Sequence, residues 1–440
     1  MRKLYPKILI LFCFFVFFLF INLILSPLTM DEVWCYGFTH NIYMGMIPYR
    51  DFNMILPPFY AFIMSLPFYL FGSSLLVFHI ENAILLTGMV LIIYQLIGKK
   101  IGLVLPFFFF PHNILFPNYN VLLLVLFFLL LYWEKEEKSD YLIGFLLGIL
   151  VLTKHTVGAC LLLPSLYYWK KKGKIKKRAI GFFIPCLVFL LYLLITNSIG
   201  QFLDLCVLGL FDFGTNNHGT WNPFFYVVWI LIGLLLYVIY KKRKDLKMYY
   251  LLAFVSITVP LFDYYHVWIY LMAFLTIFIS YLKIEKKHAY IISGVFMLCL
   301  LASSWKNLDV SKGNYPNSIK HFEYRYLDAS TVKNINYYNL ILKEYKGNFV
   351  IIGNSGYLHK LSLNQKITKL DLLNSGNFGY HGYEKLMKLI QKQDQNTIYL
   401  LDKSEIKSRS QIDKKLIAYI REQGELLKED EYYYFYFLKK

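Results

Sequence analysis

The run ILILFCFFVFFLFINLIL (residues 8–25) decides how the rest of the chain must be read. It is uncharged, long enough to cross a bilayer as a helix, and preceded by Arg2, Lys3 and Lys7. It is too long for a signal-peptide core, and no small-residue cleavage site follows. We read it as an uncleaved first transmembrane helix with its N-terminus in the cytoplasm. Further apolar blocks lie at about 75–97, 101–116, 119–133, 141–153, 156–169, 179–196, 223–240, 249–262, 266–282 and 289–305. With the first helix they predict about 11 transmembrane helices.

Charge sets the orientation of this array. The 440 residues are 57% apolar and only 17% charged, below the one-quarter or so of a soluble domain. The formal net charge of +18 suggests nucleic acid until it is mapped. Basic clusters fall between alternate pairs of blocks: Lys99-Lys100, Lys135 with Lys138, Lys170 to Arg178, Lys241 to Lys247, and Lys283 to Lys287. With the N-terminal three they place 22 Lys and Arg on one side, against two (Arg50 and Lys154) on the other. The positive-inside rule makes the first side cytoplasmic. These runs therefore read as orientation signals touching lipid headgroups, and no nucleic-acid partner is expected.

One apolar block is excluded from the count. PPFYAFIMSLPFYLF (57–71) has 15 residues and carries Pro57, Pro58 and Pro67. If it crossed, every later basic cluster would turn outward. It is assigned to an interfacial or re-entrant helix within the outer loop 26–74. An odd number of crossings puts residues 306–440 outside. There, FVIIG (349–353), NTIYLL (396–401) and YYYFYFL (432–438) read as strands, and 383–393 and 411–423 as amphipathic helices. The expected organisation is a transmembrane domain over 1–305 and an extracytoplasmic α/β domain over 306–440. The cysteines form no C-x-x-C pair and mostly sit in apolar blocks, as small buried hydrophobes do.

Once threaded, the outer turns gather the chemistry. Asp31 and Glu32 follow the first helix, with Arg50 and Asp51 in the same loop. His112, Asn113, Asn118 and Asn120 mark the next outer turn, and Lys154 and His155 the third. Asp204, Asp212 and His218 belong to the fourth, and Asp263, Tyr264, Tyr265 and His266 to the fifth. Ionisable groups at membrane depth are costly and mark functional sites. Two acids beside cations and histidines suit acid–base work on a phosphate-bearing lipid. A carboxylate takes a proton from an attacking hydroxyl. Lys154, His155, Arg50 or His266 holds the phosphate as it leaves. Each residue also has a plainer reading. Asp31 can cap the helix that follows, Lys154 can snorkel, and Arg50 can be a solvated loop cation. The histidines can be structural, and Tyr264 and Tyr265 can belong to an aromatic belt. A transporter with a polar cavity would use the same groups, and an inactive scaffold would keep the same topology. No metal motif such as H-E-x-x-H occurs.

Residues 30–72, MDEVWCYGFTHNIYMGMIPYRDFNMILPPFYAFIMSLPFYLFG, resemble the first outer loop of GT-C membrane glycosyltransferases. The branch is that of protein O-mannosyltransferases, aminoarabinose transferases and their bacterial relatives. An Asp-Glu pair, Gly-x-x-Pro-Tyr-x-Asp, Pro-Pro-x-Tyr and a Phe-Gly before the second helix carry the resemblance. GFLLGILVLTKHTVG (144–158) resembles a second family stretch, with a Lys at the outer helix end.

The resemblance implies transfer of a sugar from a polyprenyl-phosphate donor to an acceptor outside the cytoplasm: an envelope glycan, a glycolipid or a protein. It implies inversion at the anomeric carbon, with Asp31 as base and Glu32 beside it. Two departures stand out. Many relatives carry a second acid where this chain has Asn118-Tyr119-Asn120, which removes support for an acid-bound divalent metal there. Relatives often place an Arg early in the second helix, where this chain has His79 and Glu81; Glu81 pairs with His79 or binds substrate. A transporter or flippase of lipid-linked sugars remains the alternative from another class.

Overall fold

The computed structural model describes residues 5–25, 28–105, 115–211, 232–233, 236, 246–258, 264–281, 291, 294–295, 298, 313–314, 317–344, 348–353, 356–371, 373, 377–392, 397–403, 406 and 414–438. Most of the blocks 223–240 and 289–305, and the turns carrying His112, Asn113, Asp212, His218 and Asp263, lie outside these residues.

The apolar blocks fold as helices. α1 spans Tyr5–Phe20 and runs on as a π turn, Ile21–Leu25. After the outer loop, α5 (Leu75–Ile97) starts on a Ser74 side chain that accepts from the Val77 amide. α6 (Tyr119–Lys135), α7 (Asp140–Thr153), α8 (His155–Lys171) and α9 (Ile175–Ile195) follow, joined by short turns. A four-residue helix α10 (Ile199–Phe202) unwinds into a π turn, Leu203–Leu208. α11 (Leu246–Thr258) and α12 (Tyr264–Tyr281) complete the described bundle. Among the described residues, two stretches, Leu75–Leu103 and Ile175–Ile195, are long and apolar enough to cross a membrane by length alone. α7 is shorter, with 14 residues. A helix of that size rises only about 21 Å. Its C-terminal end stops at Lys154, which is buried within the protein.

α7 and α9 make the closest helix pair, and small residues explain it. A Cβ on Gly144 would stand 1.9 Å from the Arg178 carbonyl oxygen, and one on Gly181 2.1 Å from that of Tyr141. In lipid, such close approach supplies the packing that a hydrophobic drive cannot.

The outer loop is built on α2 (Met30–Tyr43) and two short helices, α3 (Phe59–Ser65) and α4 (Phe68–Phe71). The break between α3 and α4 falls at Pro67, whose ring cannot continue an interior helix.

The polar third forms a layered α/β unit. Its four-stranded sheet has the order β3 (Asn348–Ile352), β4 (Thr397–Asp402), β6 (Tyr433–Leu438), β5 (Gly424–Glu429). β3 and β4 are parallel and the other pairs antiparallel. A two-residue ladder of β1 (Gly313–Asn314) and β2 (Leu327–Asp328) precedes it. The helices are α13 (Ala329–Glu344), α14 (Gly356–Ser362), α15 (Gly382–Gln391) and α16 (Lys414–Gln423). Strand alternation sends Val350, Ile352, Tyr399 and Leu401 to a core with α15 and α16, and Phe349, Ile351 and Leu400 to a core with α13.

This unit is fastened to α2. The Asn41 amide donates to the Ile367 carbonyl (2.8 Å) and accepts from its N–H (2.9 Å). His40 Nε2 meets Asn364 Oδ1 at 2.8 Å. The α2 surface is cut flat at Gly37, where a Cβ would stand 2.4 Å from the Ile367 side chain.

Candidate active site

The first turn of α2 carries the acid pair. Thr29 caps the helix and accepts from the Glu32 amide at 3.2 Å. The cap therefore falls to Thr29, not Asp31. Neighbours on a helix point about 100° apart, so the two acids face different surroundings. Asp31 is half-buried and lies within electrostatic reach of Tyr119 on α6 and Cys35 one turn along.

Glu32 is fully buried and committed. Its Oε1 accepts from His79 Nε2 (2.8 Å) and Arg325 Nε (3.0 Å), and its Oε2 from Arg325 Nη2 (3.0 Å). Arg325 Nη1 also donates to the Leu23 carbonyl at 3.1 Å. Burial alone would raise the Glu32 carboxyl. The Arg325 guanidinium and His79 outweigh it and hold the group at about 2, from an ordinary 4.5. The expectation that Glu32 stands in the site as a second carboxylate is corrected here, because both of its oxygens are occupied. Of the two readings left open for Glu81, pairing with His79 fails, since His79 Nε2 turns to Glu32 instead. Glu81 is half-buried on α5, and its Oε2 has no hydrogen-bond partner among the described residues.

Lys154 occupies the break between α7 and α8. It is 4% exposed, so the headgroup-snorkelling reading fails. Its Nζ donates to Asn120 Oδ1 and to the Tyr270 hydroxyl, both at 3.0 Å. The same nitrogen lies 5.0 Å from the Tyr119 ring centroid and 5.6 Å from that of Tyr270. Asn118 caps α6, accepting from the Asn120 amide at 2.8 Å, which fixes the turn that positions Tyr119 and Asn120. Tyr119 thus lies against the Lys154 ammonium and within electrostatic reach of Asp31. His155 follows, beside the Cys206 backbone, and both its ring nitrogens are buried without a hydrogen-bond partner among the described residues.

Arg50 is more open, with 48% of its side chain exposed, and is forked onto Asp51 at 2.9 and 3.1 Å. Asp51 is lowered by that hydrogen bond, and also accepts from the Ile47 amide at 2.8 Å. Tyr49 before them has φ of 69°, a left-handed conformation costly for a non-glycine residue. Its N–H bond to the Phe52 carbonyl (2.9 Å) and its hydroxyl bond to the Leu56 carbonyl (2.8 Å) hold it there. Tyr264 and His266 fall in the first turn of α12, and their side chains lie outside the described residues.

The structure therefore brings Asp31, Tyr119, Asn120, Lys154 and Tyr270 together. Sequence reading missed Tyr270, which sits in an apolar helix, and Arg325, which lies far along the chain with no motif around it. Among the described residues, no group of three His, Cys, Asp or Glu could hold a metal ion. The Asn118–Asn120 turn offers amides in place of carboxylates, so a divalent metal does not fit there.

Between α3, α7 and α9 runs an apolar groove of roughly 290 Å³. Phe59, Phe62, Ile149, Val188 and Phe189 line it, and Tyr192 stands in its wall. The Tyr192 hydroxyl has no hydrogen-bond partner among the described residues and lies within electrostatic reach of Arg50.

No family profile matches the sequence, and no curated protein matches it. Two solved structures share the fold over its whole length. One is ArnT from Cupriavidus metallidurans bound to undecaprenyl phosphate, with a TM-score of 0.61, 11% identity, and coverage of 99% of this chain and 98% of that one. The other is ArnT from Cupriavidus metallidurans in the apo state, with a TM-score of 0.57, 10% identity and the same coverage of 99% and 98%. ArnT is an aminoarabinose transferase of the GT-C type, so the likeness read from residues 30–72 is a shared polytopic membrane fold.

Proposed function

We propose that this chain is a membrane glycosyltransferase that moves a sugar from a polyprenyl-phosphate donor to an extracytoplasmic hydroxyl. The observation that carries the reading is the buried Lys154 ammonium held by Asn120 and Tyr270 against the Tyr119 ring, with Asp31 within electrostatic reach of the same tyrosine. A buried cation next to a carboxylate in a membrane fold suits a reaction that consumes a proton acceptor and releases a phosphate. The apolar groove ending at Tyr192 and Arg50 supports it further, because it offers an isoprenoid chain a path with a cation at one end. The fold neighbour's bound undecaprenyl phosphate is a ligand of that class.

In the proposed reaction, Asp31 accepts the proton of the acceptor hydroxyl as its oxygen attacks the anomeric carbon. The bond from that carbon to the phosphate oxygen breaks, and the configuration inverts. Polyprenyl phosphate departs with its added negative charge met by Lys154, with Arg50 at the open edge. His155 is placed to hydrogen-bond a phosphate oxygen, and His266 and Tyr264 are assigned to the same outer rim. Glu32 serves as an anchor for α2 rather than as a second acid. The bundle faces the outer compartment at this site, with its basic turns in the cytoplasm and residues 306–440 outside.

The test is donor turnover. The protein in detergent is offered short-chain polyprenyl-phosphate sugars with envelope extracts as acceptors. General-base loss in Asp31→Asn lowers turnover by roughly 10²- to 10⁴-fold with the melting temperature unchanged. Turnover that survives the substitution removes Asp31 as the base. Donor uptake into liposomes without transfer would instead establish the flippase alternative.

A further inference from the structure

A cavity of roughly 320 Å³ opens where the α/β unit meets the outer loops. Its charge is lopsided. Lys385, Lys388 and Lys392 line it from one face of α15, opposite the face that buries Leu386, Met387 and Ile390. Lys369 enters from the 3₁₀ turn Lys369–Asp371. Among the described lining residues Asp204 is the sole carboxylate, and it is engaged by Lys385 at 2.5 Å and by the Tyr380 amide at 3.2 Å.

Like charges three and four apart on a helix repel one another. Lys369 is also half-buried, and that burial lowers its pKa, an effect that nearby Asp51, already forked by Arg50, offsets in part. The cavity adds the amides of Asn53 and Gln201, neutral groups of the kind that hydrogen-bond sugar hydroxyls. It adjoins the candidate active site, since Tyr49 lines it and is followed in the chain by Arg50. Leu205 lines the cavity, while the next residue, Cys206, contacts the Met54 carbonyl at 3.5 Å and backs onto His155.

We infer that this cavity binds a phosphate or carboxylate group carried by the acceptor glycan, so that the acceptor is an acidic saccharide. The inference rests on the transferase reading. The lysines hold the anion, and the amides hold neighbouring hydroxyls. The acceptor then reaches past Leu205 and Cys206 toward Asp31.

The test uses the full chain in nanodiscs of zwitterionic lipid. The probes are a fluorescent phosphorylated mannan oligosaccharide and its phosphatase-treated twin. The phosphorylated probe should bind at least about tenfold more tightly, with an advantage that falls as salt rises. Lys388→Glu and Lys392→Glu, both at exposed helix positions that should fold, should each remove most of that advantage. Lys428→Glu on β5, outside the cavity, should not. Equal binding of the two probes, or indifference to the α15 substitutions, overturns the site. Displacement of the probe by phosphatidylglycerol vesicles at lower concentration than by inorganic phosphate also overturns it, in favour of a lipid headgroup site. Wild-type donor turnover is measured separately. Turnover without probe discrimination removes the cavity and leaves the transferase. Discrimination without turnover on any donor leaves an anion site and overturns its assignment to an acceptor.

Discussion

Two buried ionic networks among the described residues, one at each end of the bundle, differ in what they leave open. At the end assigned to the cytoplasm, Arg178 on α9 bonds Glu134 at 2.5 Å and Asp140 at 2.8 Å, and stacks 5.6 Å from the Trp169 ring. Both carboxylates end on the same guanidinium, and all four residues belong to neighbouring helices. At the outer end, Arg325 reaches across 293 residues to Glu32. There Glu81 keeps a buried carboxylate oxygen unpartnered and His155 meets only the Cys206 backbone, whereas the inner network leaves open only the Trp169 indole N–H, among the described residues. A network closed on itself locks helices together. One that leaves buried donors and acceptors unused carries a standing cost, which a bound ligand would relieve.

The largest effect expected from this contrast is catalytic. Asp31→Asn should lower turnover by about 10²- to 10⁴-fold, measured per folded molecule, without moving the melting temperature. Arg178→Met should do the reverse, lowering the melting temperature while each folded molecule still turns over. If both substitutions act only on stability, the outer network is as structural as the inner one and the contrast fails.

Arg325→Met comes next. It strands the Glu32 carboxylate in a site that is 0% exposed, which costs about 3–5 kcal/mol. Glu32→Gln in the same background should recover part of it in thermal or denaturant unfolding. Acid sharpens this test. Glu32 is held at about 2 against an ordinary 4.5, so its stabilising contribution is complete above 4.5 and drains as pH falls from there toward 2. In the α/β unit, burial pushes His359 down to about 3 from 6.5. The neutral ring meets the Tyr433 hydroxyl at 3.2 Å. That contribution is complete above 6.5 and drains toward 3. Acid should therefore loosen the sheet unit before the Glu32 anchor. Hydrogen exchange at β6 rising before exchange at α2 is the expected order.

Lys154→Gln should be milder. It removes the charge from hydrogen bonds of a type worth about 1.5–3 kcal/mol, or roughly 10- to 100-fold, expected mainly in kcat because the charge that Lys154 meets develops as the phosphate leaves. A loss carried wholly in donor KM with kcat unchanged would mean that Lys154 binds donor and transition state alike.

Much of this architecture was legible in the sequence because it follows from local rules. Strand readings at 349–353, 396–401 and 432–438 meet β3, β4 and β6, since period-two burial leaves its mark on composition. β5 was missed because GELLKE shows no such alternation and lies exposed at the sheet edge. α13 was missed because its exposed face carries as many polar residues as a loop. At the candidate site, Asp31 and Lys154 stood out as ionisable groups at membrane depth. What stayed hidden was partner choice. Nothing near Glu32 announces Arg325, and nothing in YYHVWIYLMAFL marks Tyr270 as a lysine partner. The first contact is set by docking the α/β unit onto α2 and the second by packing α12 against α6, and no window of sequence contains either.

That docking gives the smallest expected effect and the finest test of the contrast. Asn41→Ala removes both bonds to Ile367 and leaves a buried N–H and C=O unpaired, at a cost of about 1–3 kcal/mol. Asn41 touches neither Asp31 nor Lys154 in any described hydrogen bond. If α2 is held in place only by its burial in the bundle, the substitution should lower the melting temperature and leave kcat unchanged. If the α/β unit sets the tilt of α2, kcat should fall with it, because a carboxylate moved by about 1 Å loses alignment worth up to 10²-fold. The second outcome is expected. The Glu32–Arg325 pair and the Asn41–Ile367 pair grip the same helix about two and a half turns apart, from segments on either side of α13. Loosening one should pivot the helix about the other. Faster hydrogen exchange at the Ile367 amide, together with lowered kcat at unchanged donor KM, would show that the outer unit aims the base as well as covering it.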